Sequence, residues 1–332
     1  MAQSTPNRRQ IIAGAGLIGA VSIAPKIAAK EPPPLAGKAV LITGCSSGFG
    51  LLSAKLFAEL GAKVFATMRN IQRPEASELA AWGAADAVKG DIDLTVLEID
   101  VTSDEQVAKG VAEAERLAGG PMDILINNAG IGYAGPIELQ DMEATKLIFD
   151  TNVYGPHRMA RAILPGMRGA KRGLIFNVSS QLGRVIVPSA GHYSPTKFAL
   201  EAMSEAMAYE LVPHNIEVCV IQPGGYPTKV WVNRNKLAAE LKDRLSEEEA
   251  AAYPALVSRM GEEDGSGRSA DPMDVPRAMA EIAMMEAGKR PLRRAVHPGS
   301  KPQLAINEVS EKVQVDWLGS SPFGPWIKAV HD

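Results

Sequence analysis

The chain has 332 residues, of which 46% are hydrophobic and 22% are charged, as is ordinary for a globular protein. Its formal net charge of −3 gives no basic surface that would favour nucleic-acid binding. The only two cysteines, Cys45 and Cys219, are too few for a disulfide framework, and neither stands in a metal-binding pattern, so we expect no metal site.

The first 29 residues predict an export signal. Residues 14–19 match a dinucleotide-binding pattern, G-A-G-L-I-G, but no strand precedes them and prolines soon follow, so we reject that function. Instead, the twin arginines Arg8-Arg9 precede an apolar segment, residues 11–24, that is short for a bilayer span, and small residues follow at 27–29. We therefore expect periplasmic export by the twin-arginine route with no stable membrane span. An inner-membrane anchor, a cytoplasmic chain and a disordered tail are the alternatives.

A glycine-rich loop follows the first predicted strand. An apolar stretch, residues 38–42, precedes T-G-C-S-S-G-F-G, and residues 51–60 have the composition of a helix. Strand, glycine loop and helix in this order aim backbone N–H groups and a positive helix end at a pyrophosphate. In that setting Gly44 permits a tight turn, Gly48 lets the backbone approach phosphates, and Gly50 lets the helix pack closely on the strand.

The end of the second predicted strand, residues 62–67, bears on cofactor choice. In dinucleotide folds an acid at this place meets the ribose hydroxyls. Here neutral Met68 fills the position and Arg69 follows it, so we expect NADP(H) to be preferred over NAD(H). Ser46 or Ser47 could add a hydroxyl donor to a 2′-phosphate. The alternative is that Arg69 stacks on the adenine or lies in solvent.

Strands and helices alternate along the rest of the chain, which predicts an α/β fold. Such alternation implies right-handed crossovers and a doubly wound, parallel, Rossmann-type sheet in a single domain, residues 38–298, behind a Pro-rich linker at 30–37. Ser103 is a plausible N-cap for one of these helices, and Gly119 a plausible end for it. The further predicted strands are 94–99, 123–126, 174–176, 216–221 and 293–297, and the further predicted helices are 103–117 and 197–212.

A tyrosine and a lysine four residues apart, Tyr193 and Lys197, would share one face of a helix. An ammonium beside a phenol favours the phenolate, so we expect Lys197 to lower the pKa of Tyr193 from about 10 towards neutrality. Ser180 follows the apolar run 174–176 and would donate a hydrogen bond to a substrate oxygen that Tyr193 protonates. Pro195 fits the first turn of a helix that begins near Tyr193.

Taken together, these motifs resemble those of the short-chain dehydrogenase/reductase family, over residues 38 to about 298. The run L-I-T-G-C-S-S-G-F-G followed by V-F-A-T-M-R-N is most similar to the hydroxysteroid and retinol dehydrogenase branch. The matching motifs are Thr43-Gly44-x3-Gly48-x-Gly50, Asn127-Asn128-Ala129-Gly130, Asn152, Ser180, Tyr193-x3-Lys197, and Pro223-Gly224 with Thr228.

The resemblance implies roles for individual residues. Asp100 and Val101 would meet the adenine, Asn128 would sit against its ribose, and Thr228 would close on the pyrophosphate or carboxamide. The implied cofactor-binding set is Gly44, Ser46, Ser47, Gly48, Phe49, Gly50, Arg69, Asp100, Val101, Asn128, Ala129, Gly130, Tyr193, Lys197, Pro223, Gly224 and Thr228. The implied catalytic residues are Asn152, which holds a water that relays protons, together with Ser180, Tyr193 and Lys197.

Two segments after the catalytic pattern remain open. The resemblance implies that residues 226–272 cover an apolar substrate cleft, although a solvated helical pair explains their charges equally well. The tail, residues 299–332, carries Trp317, Phe323 and Trp326, which suggest docking on a subunit or on the cleft. Because dimers and tetramers are common in the family, we expect a homo-oligomer.

The motifs favour an enzyme that transfers hydride between NADP(H) and a small hydrophobic secondary alcohol or ketone. The rival from another class is a catalytically silent nucleotide-binding sensor or scaffold, because a fold does not fix a function. All four implied catalytic residues are present, and a silent protein has no chemical need for them. The sequence leaves the substrate and the direction of the reaction open.

Overall fold

The structure is a computed structural model that describes residues 32–87, 92–263 and 265–331. Its strands are β1 (Ala39–Ile42), β2 (Lys63–Met68), β3 (Asp93–Glu98), β4 (Ile124–Asn127), β5 (Gly173–Val178), β6 (Ile216–Pro223) and β7 (Arg293–Val296). They pair in parallel in the order β3-β2-β1-β4-β5-β6-β7. The predicted doubly wound, Rossmann-type α/β fold is confirmed.

Helices connect and cover the strands. They are α1 (Gly48–Glu59), α2 (Pro74–Ala87), α3 (Asp104–Ala118), α4 (Met142–Phe149), α5 (Gly155–Ala170), α6 (Tyr193–Leu211), α7 (Val230–Lys242), α8 (Glu247–Ala252), α9 (Pro254–Val257), α10 (Asp274–Met284), α11 (Gln303–Leu318) and α12 (Gly324–His331). A π-helical turn, Asp150–Tyr154, joins α4 to α5. Ser103 caps α3 by accepting a hydrogen bond from the Gln106 amide, and Gly119 ends it at φ 78°, both as predicted.

The central strands are apolar on both faces because helices lie on both sides of the sheet. In β1, Val40 and Ile42 belong to one apolar cluster, while Leu41 between them belongs to the cluster on the opposite face. This alternation follows from the pleat, which points successive side chains to opposite faces. Leu35, in the segment predicted as a linker, is 2% exposed and joins the first cluster.

The strand order creates a crevice between the carboxyl ends of β1 and β4. The chain runs from β1 outward to β2 and β3, then returns to place β4 on the other side of β1. In doubly wound sheets, ligands bind at such a reversal of strand order. The glycine loop follows β1 and the segment Asn128–Gly130 follows β4, so both border this crevice.

The segment predicted as a lid forms α7, α8 and α9. Ala238, Leu241 and Val257 from these helices pack with Tyr133 and Leu139 in a third apolar cluster, separate from the two on the sheet. The segment therefore shares an apolar core with residues outside it, which a solvated helical pair would lack. That it covers a substrate stays a prediction, and it is called the lid below.

The C-terminal tail folds into α11 and α12. Ile327 is buried at 2% exposure, whereas Trp317 and Phe323 are exposed at 73% and 56%. Of the tail residues in the described part of the chain, none borders the crevice. The tail aromatics therefore do not dock on the cleft in this structure. Their role at a subunit contact stays a prediction.

The described residues include no helix that is both long enough and apolar enough to cross a bilayer. The predicted export signal, residues 1–29, lies outside the described part of the chain.

Candidate active site

The crevice at the carboxyl ends of the strands is a cleft of about 1090 Å³. Sixteen of the seventeen residues that the sequence assigns to the cofactor line it, the exception being Gly50. Ser180, Tyr193 and Lys197 line it as well, whereas the fourth predicted catalytic residue, Asn152, does not. The fold thus brings together residues that are as far apart in sequence as Gly44 and Thr228.

The glycine loop borders the cleft with two glycines in the left-handed region. Gly44 and Gly48 have φ angles of +73° and +55°, a conformation that residues with a Cβ rarely adopt. A Cβ on Gly44 would also lie 2.9 Å from the Cα of Ala129. Ser47, just before α1, makes no capping hydrogen bond through its side chain, so the N–H groups of the first turn of α1 remain available to an anion.

Gly50 serves packing rather than the cleft surface. A Cβ there would lie 2.3 Å from the Gly44 carbonyl oxygen and 2.4 Å from Asn128 Nδ2. Gly50 does not line the cleft, and its contact with the cofactor stays a prediction. The predicted close packing is confirmed, although its nearest partner is the loop backbone at the end of β1.

Asn128 holds the glycine loop in place. Its backbone N–H donates to Thr43 Oγ1 at 3.0 Å, and its side-chain Nδ2 donates to the carbonyl oxygens of Thr43 and Gly44 at 2.9 and 3.2 Å. The resemblance implied contact with a ribose, and Asn128 does border the cleft. Its amide donors are nevertheless engaged by the protein, so its evident task is to join the β1 and β4 loops.

Positive side chains gather where β2 ends. Met68 is 2% exposed, while Arg69 is exposed and, among the described residues, has no hydrogen bond or ion pair. Sequence reasoning missed Arg73 and Lys229, which line the same end of the cleft and both approach Glu75, at 3.3 and 3.6 Å. This end of the cleft is suited to an anionic group.

The loop after β3 and the segment after β6 complete the cofactor end. Asp100 Oδ1 accepts hydrogen bonds from the backbone and side chain of Thr102 at 2.9 and 2.8 Å, which fixes the carboxylate next to Val101. Thr228 stands beside the glycine loop, because a Cβ on Gly48 would lie 3.4 Å from Thr228 Cβ. These residues border the cleft, and their contacts with a cofactor stay predictions.

Tyr193 and Ser180 meet in the cleft from different elements. Tyr193 is the first residue of α6, as predicted, and Ser180 follows β5 at the start of a short 3-10 turn. Burial raises the pKa of Tyr193, while a hydrogen bond with Ser180 and the charge of Arg234 act in the opposite direction. The two hydroxyls are close enough to bind one substrate oxygen.

Lys197 lies one helical turn beyond Tyr193 and is 5% exposed. Its Nζ donates to the carbonyl oxygen of Val178 at 2.9 Å and stands 5.7 Å from the centre of the Tyr193 ring. Burial lowers the pKa of Lys197 from 10.5 to about 8, and the charge of Glu201 acts against that shift. The predicted fall of the Tyr193 pKa towards neutrality is wrong for this structure, because burial dominates and raises this pKa.

Asn152 occupies the π-helical turn between α4 and α5. It is 1% exposed, and its Nδ2 donates to the Ile131 carbonyl oxygen at 2.8 Å and to Thr196 Oγ1 at 3.1 Å, while its Oδ1 accepts from the Ile131 N–H at 2.9 Å. A Cβ on Gly130 would lie 3.3 Å from this Oδ1 and 3.7 Å from Lys197 Nζ. Asn152 therefore supports the wall of the cleft next to Lys197, and its contact with a relayed water stays a prediction.

Glu201 belongs to a buried ion-pair network behind the site. Arg293 of β7 is 6% exposed, donates to Glu201 at 2.8 Å and also pairs with Glu205. Gln222 of β6 donates to the same Glu201 carboxylate at 2.9 Å. Since buried charges must be paired to be tolerated, this network fixes α6, and with it Tyr193 and Lys197, against the sheet.

The lid brings charges to the substrate end of the cleft that sequence reasoning did not assign. Arg234, Glu263 and Arg268 all line the cleft beside Trp231. In the sequence they are indistinguishable from the many solvated charges of residues 226–272, and only the tertiary structure turns them inward. In the described part of the chain, no cluster of three or more His, Cys, Asp or Glu side chains could hold a metal ion.

Comparison with known proteins agrees with this geometry. The family model described as short chain dehydrogenase matches residues 38–239. Over 198 residues the chain is 40% identical to 3-ketodihydrosphingosine reductase of Bacteroides thetaiotaomicron, covering 59% of this chain and 66% of that protein. Over 197 residues it is 39% identical to human retinol dehydrogenase 8, covering 58% and 60%. The alignments thus span less than two thirds of both relatives.

A solved structure shows the same fold over a larger share of the chain. It is a short-chain dehydrogenase from Streptomyces avermitilis, with a TM-score of 0.66 and 28% identity, covering 84% of this chain and 95% of that one. The similarity therefore extends beyond the segment that the family model matches.

Proposed function

This chain belongs to the short-chain dehydrogenase/reductase family of NAD(P)-dependent oxidoreductases that act on CH–OH and C=O groups, and we propose that it exchanges hydride between NADP(H) and a hydrophobic secondary alcohol or ketone. The observation that carries the proposal is the meeting of Ser180, Tyr193 and Lys197 in the cleft that the glycine loop also borders.

The residues present fit a dinucleotide. The Gly44–Phe49 loop and the first turn of α1 would hold the pyrophosphate, since a side chain at Gly44 would obstruct the loop. Asp100 and Val101 would border the adenine, and Lys197 would bond the nicotinamide ribose. When bound, the nicotinamide supplies or accepts the hydride.

The residues of the chain manage the proton. In the direction of reduction, the Tyr193 hydroxyl donates its proton to the carbonyl oxygen as that oxygen becomes an alcohol, and in oxidation it takes the proton back. Ser180 donates a hydrogen bond to the same oxygen. With a pKa of about 8, Lys197 is largely protonated at neutral pH, so its charge stabilises the tyrosinate that proton transfer leaves behind.

Arg69 supports the preference for NADP(H). It is exposed at the cofactor end of the cleft, it has no partner among the described residues, and Met68 beside it is neutral. A free guanidinium there can bind the oxygens of a 2′-phosphate, whereas an acid in this place would repel them. Arg73 and Lys229 add positive charge nearby.

The substrate end of the cleft supports a hydrophobic substrate. The walls at this end include Ile131, Leu147, Val187 and Leu237. Two relatives of the chain are named for apolar substrates, 3-ketodihydrosphingosine and retinol. Apolar walls with a few polar groups are typical of small-molecule sites.

A substrate screen tests the proposal. Purified protein is mixed with NADP(H) or NAD(H) and with steroid, retinoid and aliphatic alcohols and ketones, including their carboxylated forms, and NAD(P)H absorbance is followed. We expect turnover of at least one compound, fastest with NADP(H). Tight NADPH binding without turnover of any compound would favour the rival, a silent nucleotide sensor.

A further inference from the structure

The lid holds a pair of arginines at the substrate end of the cleft. Arg234 donates to Glu263 at 2.7 Å and, through Nε, to the Tyr133 carbonyl oxygen at 3.3 Å. Arg268 pairs with the same Glu263 carboxylate. The guanidinium carbons of Arg234 and Arg268 lie 5.4 and 3.7 Å from the centre of the Trp231 ring, which holds both groups by cation–π contact.

We propose that Arg234 and Arg268 bind an anionic group on the substrate, a carboxylate or a phosphate, so that the enzyme acts on an amphipathic keto or hydroxy acid rather than on a neutral ketone or alcohol. This inference rests on the proposed function and names the substrate class more narrowly.

The arginine pair lies close to the reacting position. A Cβ on Gly132 would be 3.6 Å from Tyr193 Cδ2 and 3.7 Å from Arg234 Cδ, so the two side chains border the same glycine. The Arg234 charge also opposes the rise that burial causes in the pKa of Tyr193. One small substrate could therefore place an anionic group on Arg234 and its carbonyl oxygen at Tyr193 at the same time.

The cluster of Arg234, Arg268 and Glu263 has a positive net charge and more N–H donors than the described residues engage. Two guanidiniums share one carboxylate, which leaves a net charge of +1 on the cluster. A guanidinium has five N–H donors, and the described residues engage only part of them: Tyr133 and Glu263 for Arg234, and Glu263 for Arg268. Both arginines line the cleft, and a carboxylate or phosphate can accept two guanidinium donors at once.

The exposure of the three side chains favours exchange of the carboxylate partner. Arg234 and Arg268 are 16% and 26% exposed, while Glu263 is 44% exposed. The protein holds the arginines by the Trp231 ring and the Tyr133 carbonyl, whereas Glu263 is held by the arginines and faces solvent. An incoming anion can thus take the place of Glu263 without leaving a buried charge unpaired.

The test measures binding separately from turnover. Octanoate, octyl phosphate and neutral octanamide are titrated into the NADPH-loaded protein by calorimetry. We expect at least one of the two anions to bind about tenfold or more tightly than the amide, since a charge-assisted contact is of that strength. The stronger anion identifies the group. Equal affinity for all three compounds would overturn the inference.

Variants locate the anion. Arg234→Gln and Arg268→Gln should each reduce anion affinity about tenfold and leave amide affinity within about threefold, while Arg268→Lys should retain part of it. The matched control is Arg259→Gln, an exposed lid arginine outside the cleft. Circular dichroism confirms that each variant is folded. If the variants lost affinity for the amide as much as for the anions, the inference would be contradicted. The arginines would then serve to maintain the structure of the lid.

Turnover then separates the two proposals. A medium-chain 3-oxo acid and its methyl ester are compared by kcat/KM with NADPH. Faster reduction of the acid, abolished in Arg234→Gln, supports both the function and the substrate class. Faster reduction of the ester overturns the substrate class and leaves the function intact. Anion binding without reduction of either compound overturns the function alone.

Discussion

Lys197 is a buried charge, and its environment makes a testable contribution to stability. Burial lowers the pKa of Lys197 from 10.5 to about 8. Between these pH values the unfolded chain keeps a proton that the folded protein has lost, so this residue makes the folded protein more stable as pH rises. Below pH 8 the lysine is charged in both states, and the cost of burying its ammonium is fully present.

We predict that the stability difference between wild type and Lys197→Met changes with pH. From about pH 8 to 10.5 the free energy of unfolding of the wild type should rise by at most about 3 kcal/mol relative to that of the variant. This follows from about 1.4 kcal/mol per unit of pKa shift. Urea denaturation across this range measures the difference, with exposed Lys289→Met as the control. A difference that stays constant with pH would show that Lys197 is not a desolvated ammonium. Turnover should be lost in the Lys197 variant at every pH.

Arg69 gives the cofactor preference a second test at the residue scale. Arg69→Ala should lower kcat/KM with NADP(H) by about ten- to a hundredfold, since one charged contact to a phosphate contributes about 1.5–3 kcal/mol. Kinetics with NAD(H) should change little. The control is Arg168→Ala, an exposed arginine that does not line the cleft. Equal losses with both cofactors would make Arg69 a general support for the adenine.

The site residues that could be predicted from the sequence are those that belong to short-range sequence patterns. The glycine loop and the Tyr193–Lys197 spacing are short-range patterns, and both are where they were expected. The direction of the Tyr193 pKa shift depends on burial, which is a tertiary property, and was predicted wrongly. Arg234 and Arg268 carry no local pattern at all.

Among the elements, the glycine loop and α1 form one rigid unit whose packing leaves no room at Gly50. Because a Cβ there would lie 2.3 Å from a backbone carbonyl oxygen, the loop must shift to accept one. We expect Gly50→Ala to lower stability by about 1–3 kcal/mol, as overpacking usually does, and to weaken NADPH binding at least about tenfold.

Gly169→Ala is the matched control for that change. Gly169 is also within a helix, and a Cβ there would meet nothing within 4 Å. Its replacement should therefore raise stability slightly, by about 0.5–1 kcal/mol, through helix propensity. Thermal denaturation and NADPH titration of both variants make the comparison. Unchanged nucleotide binding in Gly50→Ala would show that the loop geometry tolerates displacement.

Element order and type were predictable because strands and helices here have strong periodic patterns and clear end signals. The cap at Ser103 and the end at Gly119 are examples. The π-helical turn at Asp150–Tyr154 was not predictable, because an inserted residue in a helix leaves no periodic signature. It matters here because it carries Asn152 to the wall of the cleft.

For the whole molecule, the distribution of charge favours an anionic ligand. The chain has a formal net charge of −3, yet among the described residues seven basic and four acidic side chains line the cleft. A positive cleft attracts anionic cofactors, while the negative surface around it repels them. Both the cofactor end and the Arg234–Arg268 pair contribute to this contrast.

We propose that the protein is exported as a folded, cofactor-loaded enzyme through the twin-arginine route, on the basis of Arg8-Arg9 and the apolar segment at residues 11–24. Replacing both arginines by lysine should retain the protein in the cytoplasm, as cell fractionation would show. Replacing Lys26 alone is the control. An unchanged distribution between cytoplasm and periplasm would count against this route.

The most direct test of the account is the turnover of Tyr193→Phe. The substitution removes the hydroxyl that donates the proton and hardly changes the volume of the side chain. With the best substrate of the screen, kcat should fall by about 10²–10⁴-fold, the range that a general acid contributes, while the dissociation constant for NADPH stays within about threefold. A variant that keeps more than about a tenth of the wild-type rate would show that Tyr193 is not the proton donor.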